Sequence, residues 1–379
     1  MASSPVRDTM SAWVERGDLP GLAMLVALKG EPRVDVIGEM APGGAPMQRD
    51  TLFRITSMTK PIAAVAALIL VDDGRLSLDE PIDRLLPELA ARRVLRRIDG
   101  PLDDTVPAER PISLRDLLTF RPGLGIDLEL PQDAPILREI AEQDILGFGP
   151  PRPAYAVPPD EWLRRLGTLP LMAQPGRRWL YNTGSCILGV LIERAADQPL
   201  EDFMRERIFE PLGMRDTGFS VPPDSLHRLP PALMSSPDSS REQIDGVADS
   251  AWAAPPTFPD AAAGLISTID DYFAFGQMLL DGGKHGTIRI VPERLVAEMR
   301  TNQITAEQKR GSEFLLGPDD GWGLGVRITG SRFGWDGGYG TTWGSDPRTG
   351  TVAILLTQCA GRFDILTDFW TAIAREHRV

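Results

Sequence analysis

Histidine is nearly absent from this chain: its 379 residues contain three, His227, His285 and His377. The first lies in a proline-rich stretch, the second in a glycine turn and the third among the last three residues. None reads as the base of a serine–histidine–acid triad, and no Gly-x-Ser-x-Gly elbow occurs. Cysteine is scarcer still. Cys186 and Cys359 sit in apolar contexts and read as buried thiols rather than a disulfide. No His/Cys/Asp grouping has metal-ligand spacing, so neither a zinc hydrolase nor any other cofactor is expected. The glycines between 334 and 340 lack the strand-then-helix setting of a dinucleotide loop. No run approaches the roughly 18 to 20 apolar residues of a membrane span. The first residues lack a basic stretch followed by an apolar one, so the expectation is no secretory signal and a cytoplasmic protein. Lysine numbers four against 36 arginines, a ratio read as coding bias.

What is present is a large core and an acidic surface. A 42% hydrophobic composition over this length predicts one large or two interlocked domains. The formal charge of −13 argues against nucleic acid or an anionic membrane as partner. A small molecule is the expected partner, and oligomeric state is not legible.

The start is periodic, with an amphipathic helix over residues 5–15, a buried strand over 21–30 and its hairpin partner over 33–38. Gly30, Glu31 and Pro32 read as the turn. From about residue 76 to 257 short helical patterns alternate with proline-rich loops: helices over 113–120, 160–166, 187–196 and 199–209, and long polar stretches over 128–134, 147–159 and 221–257. Loops of that length are either functional or wrap the surface. Beyond residue 258 come a helix over 273–280, another after Pro292, strands over 322–328, 340–345 and 351–357, and a closing helix over 364–377. This predicts a discontinuous α/β lobe (1–75 and 258–379), a mostly helical lobe (76–257) and a site between them.

The densest chemistry lies at Ser57-Met58-Thr59-Lys60-Pro61, ahead of an alanine-rich apolar run. Proline is tolerated in a helix's first turn, which puts the helix start near Ser57. Serine and lysine three apart share one helix face. The run is too apolar for a surface helix. Burial disfavours a lysine's charged form, and the neutral amine can then take a serine proton. The alternative is a capping serine followed by a surface lysine. Without histidine, a tyrosine is the natural second proton carrier. Of Tyr155, Tyr181, Tyr272 and Tyr339, Tyr181 stands in a turn just before a helix, where it can be aimed into a cleft or simply be satisfied locally.

These segments together resemble the serine β-lactamase-related family, which includes class C β-lactamases, DD-peptidases and family VIII carboxylesterases. Ser57-Met58-Thr59-Lys60 is similar to its nucleophile motif. The stretch Ile112 to Thr119 with Pro122-Gly123-Leu124 is similar to the segment that follows, and Pro175-Gly176 through Tyr181 to the tyrosine motif. Pro211-Leu212-Gly213-Met214 and the glycine-rich Gly334-Trp335-Asp336-Gly337-Gly338 follow in family order. The resemblance runs from about residue 20 to 375. It implies a β-lactamase/transpeptidase-like fold, a central antiparallel sheet flanked by helices. It implies Ser57 as nucleophile, Lys60 and Tyr181 as shared general base and acid, and the backbone N–H groups of Ser57 and Gly338 as oxyanion hole.

Two departures bear on substrate. Thr183 stands where the β-lactam-recognising members carry asparagine. Trp335-Asp336-Gly337 stands where they carry Lys-Thr-Gly or His-x-Gly. Tryptophan offers an apolar wall, or plain core filling, and Asp336 would repel an anion if it faced the site. Thr183, Trp335, Asp336 and Gly337 are therefore the expected substrate-binding residues, and a neutral ester the expected substrate. Arg332 could replace the lost cation. A β-lactamase, DD-peptidase, D-amino-acid amidase or acyltransferase of the same fold, and a non-catalytic relative, are the alternatives.

Overall fold

Lys29 and Gly30 both take positive φ, 52° and 85°, and close a two-residue hairpin between β1 (Gly21–Leu28) and β2 (Glu31–Gly38). Two such residues match the twist of the strands they join. The turn is thus Lys29-Gly30, not the expected 30–32, and Pro32 lies inside β2. A proline fits there because β2 is an edge strand. The computed structural model, which describes residues 4–131, 133–145, 157–235 and 241–376, extends this hairpin into a seven-stranded antiparallel sheet.

Its other strands are β3 (Asp320–Trp322), β4 (Arg327–Thr329), β5 (Arg332–Gly337), β6 (Thr341–Asp346) and β7 (Thr351–Leu356), in the order β3-β4-β5-β6-β7-β1-β2. The stretch 322–328, expected as one strand, is broken by Gly325 at φ 77° and supplies parts of two. The helices that matter here are α1 (Pro5–Glu15), α2 (Thr59–Asp72), α3 (Leu114–Leu118), α4 (Thr183–Ala196), α5 (Ile269–Leu280) and α6 (Asp364–Glu376).

Both faces of the sheet are covered. Leu22, Met24 and Val26 of β1 pack with Met10 and Trp13 of α1 and Phe369 of α6. Ala23 and Leu25 join the main core with α2, α4 and α5 on the other face. Burial on both sides is why β1 and β7 read as continuous apolar runs rather than alternating ones. Helix α5 lies close on β6, where a Cβ on Gly276 would collide with the Trp343 indole.

Helix α2 is buried from Thr59 to Leu70. Helix α3 starts at a capping box, with the Ser113 hydroxyl on the Asp116 N–H and the Asp116 carboxylate on the Ser113 N–H. Residues Pro135–Glu142, given no element from the sequence, are helical. Within the stretch 221–257, expected as loop, Ala232–Ser235 and Arg241–Asp245 pair as strands that add to Cys359–Ala360. That small sheet is held by Arg54, whose buried guanidinium reaches Asp245, Pro230 O and Ser250 Oγ. No described helix is long and apolar enough to cross a membrane. Tyr155, His377 and most of the stretch 147–159 fall outside the described residues.

Candidate active site

Ser57 is the middle residue of a single 3-10 turn, Thr56–Met58, that runs directly into α2. Thr56 has φ 46°, a left-handed conformation that costs a β-branched residue energy and persists only where the surroundings impose it. The Tyr272 hydroxyl donates to Met58 O at 2.8 Å, and Ile55 N donates to Leu265 O at 3.1 Å. On its other side the turn meets the end of β5, where a Cβ on Gly337 would collide with Ile55 O and Thr56 Oγ1. Only glycine lets the strand come so close.

Lys60, one helical turn along, is 1% exposed. Its Nζ donates to Ser57 Oγ at 2.9 Å and to Ala262 O at 2.8 Å. The Tyr181 hydroxyl donates to the same Ser57 Oγ at 2.9 Å, and Lys60 Nζ stands 4.7 Å from the centre of the Tyr181 ring. Serine, lysine and tyrosine, 124 residues apart at the extremes, thus form one hydrogen-bonded group.

Tyr181 is fixed from both sides in sequence. It exchanges backbone hydrogen bonds with Ile126, at 2.8 and 3.2 Å. Asn182, at φ 78° and ψ −58°, then makes a tight turn in which Thr183 N–H donates to Tyr181 O at 3.1 Å. That is the rare, strained hand of γ-turn. The turn starts α4 at Thr183 rather than at the expected residue 187, and points the Tyr181 ring back over Ser57.

Around Tyr181 stands an aromatic wall of Phe120, Trp179, Trp322 and Trp335. Trp335 meets Trp322 edge-on at 4.7 Å, and its Nε1–H donates to the Tyr181 oxygen at 3.1 Å. The sequence suggested an apolar surface at this position; the hydrogen bond was not legible there.

The remaining expected residues stand as follows. Gly338 follows β5, with open space where a side chain would point. Gly337 is buried against the serine turn and leaves no room there for a ligand. Thr183 is sealed inside the start of α4 and meets no solvent. Asp336 accepts from Thr342 Oγ1 at 2.6 Å and pairs with Arg327 at 2.7 Å, so its charge is matched and the expected repulsion of anions is offset. Arg332 does not reach toward Ser57. Strand alternation turns it to the opposite face of the sheet, where its guanidinium lies 3.8 Å from the centre of the Trp370 ring.

Asp260 was not singled out from the sequence. It lies half-buried near Lys60 and accepts from Ala262 N–H at 2.8 Å. It thereby shapes the loop that offers Ala262 O to Lys60. Burial pushes its carboxyl above the ordinary value, against the pull of the Ala262 N–H and the Lys60 charge. Cys186 Sγ lies 3.8 Å from Asp260, and burial likewise pushes that thiol up. Tyr272 and Tyr339 are raised by burial too, the latter to about 12. Among the described residues, no three His, Cys, Asp or Glu side chains gather as metal ligands.

The family model for beta-lactamase matches residues 6–375. The chain belongs to the beta-lactamase family. Within it, Protein Rv1367c of Mycobacterium tuberculosis (strain ATCC 25618 / H37Rv) is 40% identical over 347 residues, 87% of this chain and 82% of that protein. Esterase EstB of Burkholderia gladioli is 31% identical over 370 residues, 90% of this chain and 86% of that protein. Among solved structures, EstCE1, described as a hydrolase with promiscuous acyltransferase activity, superposes with a TM-score of 0.80 at 24% identity, covering 97% of both chains. The fold is therefore that of the β-lactamases and transpeptidases, as the resemblance implied, and the chain is a serine hydrolase of that fold.

Proposed function

We propose that this beta-lactamase-family chain cleaves carboxylic esters through an acyl-enzyme on Ser57. The observation that carries the reading is the convergence of Lys60 Nζ and Tyr181 OH on Ser57 Oγ, each at 2.9 Å. In the first half-reaction Ser57 Oγ bonds to the ester carbonyl carbon, and its proton passes to the Lys60–Tyr181 pair. The oxyanion faces the backbone N–H groups of Ser57 and Gly338. The bond to the alcohol oxygen then breaks, and the pair returns the proton to the departing alkoxide. Water reverses these proton movements to release the acid. Proton transfer of this kind contributes about 10²–10⁴-fold, and each oxyanion donor about 10²–10³-fold.

Two features support an ester over a β-lactam or a peptidyl carboxylate. Trp335 fills the position of the carboxylate-binding cation, and of the two nearby arginines Arg332 is stacked on Trp370 and Arg327 is engaged by Asp336. The similarity to a protein named an esterase agrees with this. In this reading the cleft lies between the α/β part, which supplies Ser57, Lys60 and Trp335, and residues 76–257, which supply Tyr181.

A fluorophosphonate probe should label the wild-type chain and leave Ser57→Ala unlabelled; equal labelling of both counts against the nucleophile. A panel of p-nitrophenyl esters set against nitrocefin tests the substrate. Ester cleavage with little nitrocefin turnover is expected, and the opposite ranking would overturn the ester assignment.

A further inference from the structure

Phe314 and Phe363 are large apolar side chains left in water, 72% and 48% exposed, yet they touch each other. Their rings meet edge to face, with centroids 6.3 Å apart and planes at 83°. The two residues come from segments tied to two different parts of the site. Phe314 precedes Leu315 and Leu316, which pack against the cluster of Trp335, Trp322, Trp179 and Tyr181. Its loop is also tied to the tyrosine segment, since Trp179 N–H donates to Gln308 O at 2.7 Å and the Ser312 hydroxyl to Trp179 O at 3.4 Å. Phe363 comes three residues after Ala360, which packs with Tyr339, next to Gly338. The Thr357 hydroxyl donates to Tyr339 O at 2.5 Å, binding that loop to the end of β5. One ring therefore extends the wall behind Tyr181, and the other extends the wall behind Gly338.

From this geometry we infer that Phe314 and Phe363 form an apolar clasp for the alcohol portion of the ester, and that the preferred substrates carry an extended hydrocarbon group there. The inference rests on the ester reading given above. It assigns the alcohol side because Tyr181, with Lys60, returns the proton to the departing oxygen. The leaving group must lie beside Tyr181, and the wall beside Tyr181 is the one that Leu315 and Phe314 continue. An exposed aromatic pair offers edges and faces to an alkyl chain or ring without any polar group to desolvate. Exposed apolar surface of this kind, continuous with a site, marks a place where something apolar binds.

Ethyl acetate, octyl acetate and ethyl octanoate separate the possibilities, with kcat/KM followed by acid release. The first two share an acetyl-enzyme and differ only in the alcohol. In the Phe314→Ala/Phe363→Ala variant, the preference for octyl acetate over ethyl acetate should fall roughly tenfold, as expected for losing the burial of a few methylenes. The ratio of ethyl octanoate to ethyl acetate should stay as in wild type. An unchanged octyl-to-ethyl preference overturns the clasp, and so does a loss that follows the acyl chain instead. If wild type cleaves none of the three esters, the ester reading falls first and takes the clasp with it. Both substituted side chains are on the surface, so an unaltered thermal melt is expected to accompany the kinetic change.

Discussion

The indole N–H of Trp335 donates to the oxygen that Tyr181 in turn directs at Ser57, 3.1 Å from the one and 2.9 Å from the other. A donor at that oxygen stabilises negative charge there, and hydrogen bonds to charged groups contribute about 1.5–3 kcal/mol. Trp335→Phe keeps the ring and removes the donor. Its kcat/KM for p-nitrophenyl acetate should fall about 10-fold to 100-fold. A variant as active as wild type would show that Trp335 serves only as wall.

Lys60 places a polar head in the core of an apolar helix, and the proposed mechanism gives it a chemical role there. Replacing it with methionine, Lys60→Met, fills the same space without a polar head. Activity should drop by about 10²–10⁴-fold, while the chain becomes no less stable, because burying a polar group in a core opposes folding. Steady-state turnover and a thermal melt on the same sample check both halves. A strong loss of stability would mean that the amine's bond to Ala262 holds the fold.

Gly337 and Gly338 are neighbours with opposite tolerances. Gly337→Ala must push the end of β5 away from Ile55 O and Thr56 Oγ1, so both melting temperature and activity should fall. At Gly338 nothing lies within 4 Å of an added Cβ, so Gly338→Ala should melt close to wild type. Equal melting of the two variants would contradict the close approach at Gly337.

Asp260 predicts a pH dependence. Its carboxyl is raised by burial above the ordinary value of 3.8, so it favours the folded chain when protonated. That contribution is complete below the unfolded value and is lost as pH rises through the folded one. Asp260→Asn keeps an acceptor for Ala262 N–H and cannot ionise. Its stability relative to wild type should therefore grow as the pH rises above about 4, the ordinary value for the carboxyl. Urea unfolding at several pH values measures this; a difference that does not vary with pH would refute it.

Arg54 is 2% exposed and ties Asp245, Pro230 and Ser250 to the strand that leads into Ser57. Asp245→Ala leaves a buried guanidinium without its counter-charge, a loss that costs about 3–5 kcal/mol. Denaturant unfolding should show a midpoint lowered accordingly, and a change below about 1 kcal/mol would mean the pair is effectively solvated.

The parts of this protein that were legible in its sequence are those fixed by neighbours in the chain. Ser57 and Lys60 lie one helical turn apart, and the apolar run after them could only be a buried helix. Helix α1 announced itself through periodicity, and strand β1 through its continuous apolar run. Tyr181 was marked locally only by its place in a turn before a helix, and the family resemblance was needed to join it to Ser57, 124 residues away. Thr183 and Asp336 were expected at the substrate for their positions in motifs, but one is enclosed by its own helix start and the other is matched by Arg327, a residue from a different strand. Asp260 and Arg54 were invisible for a similar reason. A lone acidic or basic residue has meaning only once its distant partner is known. The hairpin turn was expected to start one residue late and end two residues late because a proline was taken for a turn residue, when an edge strand accommodates one equally well.

The aromatic wall has one more consequence. Three of the chain's eight tryptophans, Trp179, Trp322 and Trp335, share a cluster with Tyr181, and Trp335 is bonded to it directly. Indole emission responds to the polarity and quenching groups around the ring. The chain thus carries indoles beside Ser57 whose emission is expected to change, without any label, as a ligand enters and leaves the proposed site.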